Sequence, residues 1–286
     1  MHPQKNPLLP IMGHLVLGYP TLAESIRTAE RYVRAGLAIL ELQIPFSHPT
    51  ADGPVITEAC RRAVEQKVTV PDCLEAIRTL REKFPEQEMM VMSYVNRVYA
   101  YGFDRFYREM ERLGVRHVII PDLPCQPHPQ PLPPGGGESD LVTPHALAIE
   151  MKNYSAGKPP SPRGEGLGLG SQVAILAANT PSSRLNQLLA AGYDFFYLMS
   201  DFKITGSTFS LHPGLQDMAA RIKAHDQQNR VGIGFGIETP EQVLAVLEVA
   251  DYAIIGSALI RAQQEARLDN YLEKLKKVLT PATFPV

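Results

Sequence analysis

Ala38-Ile39-Leu40-Glu41-Leu42-Gln43-Ile44 is the stretch that decides the fold. Its apolar residues form a near-continuous string instead of alternating with polar ones. A strand with one wet face alternates; a parallel strand covered on both faces does not. Seven further runs share this texture: His14–Gly18, Met89–Val95, Arg116–Asp122, Gln172–Ala178, Phe195–Ser200, Arg230–Gly236 and Tyr252–Gly256.

Stretches of helical period lie between the runs. Thr21 can cap a helix that Gly36 ends, with Glu24 placed for a capping box. Pro71 and Asp72 open a helix through Leu80, and Phe103 to Leu113 stops at Gly114. Thr180-Pro181 and Thr239-Pro240-Glu241 each put a capping residue before a proline at the first helical position. Asn270 to Val278 forms the last helix. Eight strand–helix alternations predict a TIM (β/α)8 barrel, as a single domain over residues 1–286. The rival is a doubly wound open sheet, which usually carries GxGxxG after its first strand. Here that strand ends in Gly18-Tyr19-Pro20.

One region breaks the rhythm. Residues 125–137 hold five prolines and three glycines, and Gly157–Gly170 is similar, so 125–171 reads as a long loop region after strand four. Within it, Thr143-Pro144 starts a short helix through Met151.

Composition excludes several functions. The chain has 28 basic and 30 acidic side chains and no basic run, so neither nucleic acid nor an anionic membrane is an expected partner. No stretch reaches the roughly 18 apolar residues of a membrane span, and Met1–Met12 does not read as a secretory signal. Cys60, Cys73 and Cys125 are odd in number and lack CxxC spacing, which fits free thiols in a reducing cytoplasm. The eight histidines form no metal motif, and no metal is expected.

In a barrel of this kind chemistry sits at the C-terminal ends of the strands. Glu41 lies inside the second apolar string and points either to the helix layer or into the barrel; a carboxylate is rarely buried without a partner or a task. Asp52 follows in the next loop, where before Gly53-Pro54 it could also be ordinary turn chemistry. Two carboxylates over one mouth can divide proton transfer and charge stabilisation. Gly232-Ile233-Gly234-Phe235-Gly236 and Ile255-Gly256-Ser257, after strands seven and eight, suit a phosphate, and Ile204-Thr205-Gly206 could add a third side.

Leu40-Glu41-Leu42 through Pro45-Phe46-Ser47, Pro49 and Ala51-Asp52-Gly53-Pro54 resembles the signature of the tryptophan synthase alpha chain family. The resemblance continues in Tyr94-Val95-Asn96, Pro121-Asp122-Leu123-Pro124, Ile204-Thr205-Gly206, Gly234-Phe235-Gly236-Ile237 and Gly256-Ser257-Ala258. It implies a lyase that splits indole-3-glycerol phosphate without metal or organic cofactor, in partnership with a beta chain in an alpha-beta-beta-alpha tetramer. By this resemblance Glu41 is the general acid/base, needing a pKa raised from ~4.3 toward ~6. Asp52 would stabilise positive charge on the indole, Tyr94 and Thr205 would contact substrate, and Gly206, Gly236, Gly256 and Ser257 would cradle the phosphate. Four features depart from the family. Gln43 stands where it has glycine and is expected to narrow the indole pocket; His48 stands where it has an acid. Ser200-Asp201-Phe202-Lys203 stands where arginine and glycine precede Val-Thr-Gly. Only thirteen residues precede the first predicted strand, too few for the family's first helix.

Overall fold

The computed structural model describes residues 8–123, 171–200, 211–234 and 236–279. Eight parallel strands run in chain order: β1 (Leu9–Val16), β2 (Leu37–Gln43), β3 (Glu88–Met92), β4 (His117–Ile119), β5 (Ser171–Gln172 and Ala174–Ala177), β6 (Phe195–Met199), β7 (Arg230–Gly234) and β8 (Tyr252–Ile255). Each pairs with the next, and β8 returns to β1 through Ile11↔Ala253 and Gly13↔Ile255. At β5 the pairing changes hands. Its first part faces β4, Val173 N–H donates to the Val118 carbonyl at 2.9 Å, and its second part faces β6. The result is a TIM barrel, and both flanks of the proline-rich segment belong to its one sheet. Residues 125–170 of the predicted 125–171 loop, with its short helix, lie outside the described residues, whereas Ser171 pairs with His117 and already belongs to β5.

All eight predicted strands are present. The first begins earlier than its apolar run suggested, at Leu9, because Leu9, Ile11 and Met12 are also buried. The helices are α1 (Leu22–Ala35), α2 (Pro54–Glu65), α3 (Val70–Lys83), α4 (Val95–Tyr101), α5 (Phe103–Arg112), α6 (Ser182–Ala190), α7 (Pro213–His225), α8 (Pro240–Leu247), α9 (Ser257–Gln264) and α10 (Leu268–Leu279). Thr21 and Thr239 cap as expected, the latter in a box closed by Gln242. Thr180 does not cap α6. Its hydroxyl accepts from Ala177 N–H at 3.0 Å and so finishes β5, leaving Pro181 at the helix N-cap.

Two apolar clusters mark the two faces of the sheet. Leu40 and Leu42 belong to the larger cluster, between the barrel and its helices. Met12, Ile39, Met90, Ile119, Phe195 and Ile254 fill the barrel itself. Because strand side chains alternate, Ile39, Glu41 and Gln43 share the inward face. Gly234 on β7 is required by close packing: a Cβ there would stand 2.8 Å from the Tyr197 hydroxyl. Cys60 and Cys73 are free and buried, and burial pushes both thiols up to about 12. Cys125 lies outside the described residues.

Candidate active site

At the C-terminal mouth the barrel holds a cavity of about 270 Å³. Glu41, Asp52, Gly236, Gly256 and Ser257 all line it, with Met92, Ile119, Ile175 and Ile254 supplying apolar wall. Residues scattered over more than 200 positions of sequence therefore converge on one space.

Glu41 is 2% exposed and points inward. Its partner is His14, which sits opposite it in the β1–β2 register. His14 Nδ1 lies 3.2 Å from Glu41 Oε1. The other ends of the pair, Glu41 Oε2 and His14 Nε2, are buried and make no hydrogen bond with any described residue. Burial opposes charge on the imidazole, but the charge and hydrogen bond of Glu41, with smaller help from Asp52 and Gln43, win and hold the His14 pKa above 6.5.

Asp52 is set by the turn that Pro49 begins, where Asp52 N–H donates to the Pro49 carbonyl at 3.1 Å. Gln43 Nε2 donates to Asp52 Oδ2 at 2.6 Å and the Tyr94 hydroxyl donates to the same oxygen at 3.0 Å. Burial raises the Asp52 pKa despite the opposing pull of His14 and these two hydrogen bonds. Gln43 is fully buried and faces the interior as its spacing from Glu41 predicts, yet it is not among the residues lining the cavity. Its side chain ends on Asp52, so it does not narrow the pocket. Tyr94 likewise stands behind Asp52: it accepts from Ala51 N–H at 3.1 Å and stacks on Phe46 with centroids 5.2 Å apart.

The opposite wall is made by the turns after β7 and β8. Gly236, at φ 74°, leaves β7 in a left-handed conformation that favours glycine. Gly256 is the N-cap of α9 and Ser257 its first residue, and both line the cavity, so a helix start, whose first N–H groups have no intrahelical acceptor, lies at this wall. A Cβ on Gly256 would come within 3.2 Å of Ile56 and 3.6 Å of His14 Cβ. Glu238 and Arg261 complete the rim and pair with each other. Thr205 and Gly206 lie outside the described residues.

Two residues of the site were not legible as such in the sequence. His14 opens an apolar run, and only the parallel register brings it to Glu41. Tyr197 on β6 lines the cavity, and burial, then the nearby Glu41 and Asp52, push its pKa well up, so its hydroxyl stays protonated.

Comparison with known proteins agrees with this geometry. The profile of the family described as "Tryptophan synthase alpha chain" matches residues 3–133 and 167–283. The tryptophan synthase alpha chain of Dehalococcoides mccartyi is 31% identical over 265 residues, covering 93% of this chain and 90% of its own. That of Chloroflexus aurantiacus is 28% identical over 279 residues, covering 96% and 93%. A solved structure of tryptophan synthase from Mycobacterium tuberculosis superposes with a TM-score of 0.70 at 26% identity, covering 96% of this chain and 93% of that one.

Proposed function

The chain belongs to the tryptophan synthase alpha chain family, and from that premise we propose that Glu41 and Asp52 carry the chemistry of a carbon–carbon lyase. It splits indole-3-glycerol phosphate into indole and glyceraldehyde 3-phosphate in tryptophan biosynthesis. The observation that supports the residue assignment is that two buried carboxylates and the start of α9 share one largely apolar cavity.

The reaction is a retro-aldol cleavage. The bond between the indole ring carbon and the glycerol chain breaks, the ring carbon gains a proton, and the hydroxyl beside the broken bond loses one. Glu41, through Oε2, is the group that delivers and collects these protons. Asp52 accepts from the indole N–H and stabilises the positive charge that develops as the ring is protonated. Tyr94 acts on the substrate through Asp52. The apolar wall receives the ring, and the phosphate rests on the helix start at Gly256 and Ser257 with the Gly236 turn beside it. By resemblance to the family, Thr205 is read as a substrate contact and Gly206 as part of the phosphate cradle.

The same membership supports docking to a tryptophan synthase beta chain in an alpha-beta-beta-alpha tetramer, and a cytoplasmic location. His48, exposed in the loop after β2 where the family carries an acid, cannot supply a negative charge to that contact, so association is weaker than is usual for the family. His48→Asp should tighten it in a titration against a beta chain. Catalysis itself is tested by incubating the purified chain with indole-3-glycerol phosphate, alone and with a beta chain, and assaying indole. No indole in either arm would sink the reading.

A further inference from the structure

A glutamate side chain has three rotatable bonds and two equivalent oxygens. An acid/base built from one must be told which oxygen faces the substrate. Glu41 meets a second ionisable group on the neighbouring strand, and that group takes only one of its oxygens. His14 Nδ1 stands 3.2 Å from Oε1, while Oε2 makes no hydrogen bond with any described residue. His14 is itself fixed. The Tyr32 hydroxyl donates to its carbonyl at 3.4 Å, and its ring is packed beside Gly256, where a Cβ would stand 3.7 Å from Cδ2. Both residues are buried and line the cavity.

We propose that His14 is a positioning residue of the lyase: by holding Glu41 through Oε1 it fixes Oε2 as the oxygen that exchanges protons with the substrate. This rests on the assignment of Glu41 as the acid/base. The pair also links the site to pH. Five ionisable groups share the cavity with His14: Glu41 from β2, Asp52 from the following loop, Tyr197 from β6, Glu238 from the turn after β7, and Arg261 of α9, the last two paired with each other. Glu41 and Asp52 both favour its charged form. When the imidazolium loses its proton, the hold on Oε1 weakens, so turnover falls on the alkaline side.

The test compares His14→Phe, His14→Asn and the parent in single-turnover cleavage of indole-3-glycerol phosphate across pH. A misplaced acid/base typically costs about 10- to 100-fold. His14→Phe should lose that much in kcat with KM within threefold, and should lack the alkaline limb due to His14. His14→Asn, which keeps an N–H donor near Nδ1, should recover most of kcat without recovering that limb. A His14→Phe variant with parental kcat and pH profile overturns the proposal, as does a rise in KM alone. Should His14→Phe fail to fold, the limb in His14→Asn decides. A substrate-free measurement separates this from the function itself: the imidazole of His14, followed by NMR, should titrate lower in Glu41→Gln than in the parent. An unchanged His14 titration overturns the pair, whether or not the parent makes indole; a coupled titration in a parent that makes no indole overturns the lyase reading instead.

Discussion

The barrel has a buried histidine among carboxylates at each end, and the two are built differently. At the floor His117 sits with both ring nitrogens engaged. Nε2 lies 3.0 Å from Asp194 Oδ1, and Nδ1 lies 3.3 Å from Arg230 Nη2. Arg230 in turn binds both oxygens of Glu88 at 2.7 and 2.9 Å and lies 5.1 Å from the Phe195 ring centroid. Burial opposes charge on Asp194, and the hydrogen bond and charge of His117, with the charges of Arg230 and Arg116, overcome it and hold its pKa low. At the mouth, His14 and Glu41 satisfy each other through one atom apiece, and the second atom of each, like Gln43 Oε1, makes no hydrogen bond with any described residue. A buried polar atom without a partner is costly, so proteins rarely keep one without a use. The floor is a closed ionic plug that ties strands β3, β4 and β7 together. At the mouth, the two residues that line the cavity, His14 and Glu41, each have hydrogen-bonding capacity that no described residue takes up.

That contrast breaks if the two ends respond alike to mutation. The largest effect belongs at the mouth. Glu41→Gln keeps the shape of the side chain but cannot carry a proton, so turnover should fall by about 10²- to 10⁴-fold while melting changes little. Near-parental indole formation would remove Glu41 from the mechanism.

The converse belongs at the floor. Arg230→Met takes from Glu88 and His117 the guanidinium that joins them and leaves Asp194 only the more distant Arg116, and losing hydrogen bonds to charged groups at this partly buried site costs about 2 kcal/mol. Denaturant unfolding should show that loss while kcat per folded molecule stays within twofold. A catalytic defect without a stability defect would mean that the floor reports to the site.

Gln43 sharpens the comparison, because it belongs to the mouth yet is partly satisfied. Its sequence position suggests an obstruction whose removal would raise activity. Its hydrogen bond to Asp52 predicts the reverse. Gln43→Gly should lower kcat about 10-fold, the scale of one hydrogen bond to a charged group. The strand glycine costs a further 0.5–1 kcal/mol or so of stability. Faster turnover in a folded variant would overturn the clamp.

The smallest effect is on stability against pH. His14 binds its proton more tightly folded than unfolded. Its contribution is therefore complete below the unfolded value of 6.5 and is lost as pH rises through the higher folded value. The gap in melting temperature between the parent and His14→Phe should narrow over that interval, and a gap that widens would contradict the pairing.

The linear sequence determined the strand count, the closing order of the barrel and most helix ends, since apolar strings, capping threonines and glycine stops are local signals. It also carried the Glu41–Asp52 segment and the turns at Gly236 and Gly256. It did not carry α2, α4, α7 or α9; α4 and α9 are short segments that continue directly from strand ends. Three facts about the site had to wait for tertiary structure. A strand apolar on both faces cannot say which face looks inward, so Glu41 could equally have faced the helices; the partition of Ile39 and Leu40 into different clusters decides it. His14 reaches Glu41 only through the parallel register of β1 and β2, and Tyr197 reaches the cavity only because the barrel closes. Its spacing from Glu41 turns Gln43 inward, but its hydrogen-bond partner depends on how the loop after β2 folds back to bring Asp52 to it. Backbone periodicity fixes the direction of a side chain, whereas what that side chain meets depends on elements far away in sequence.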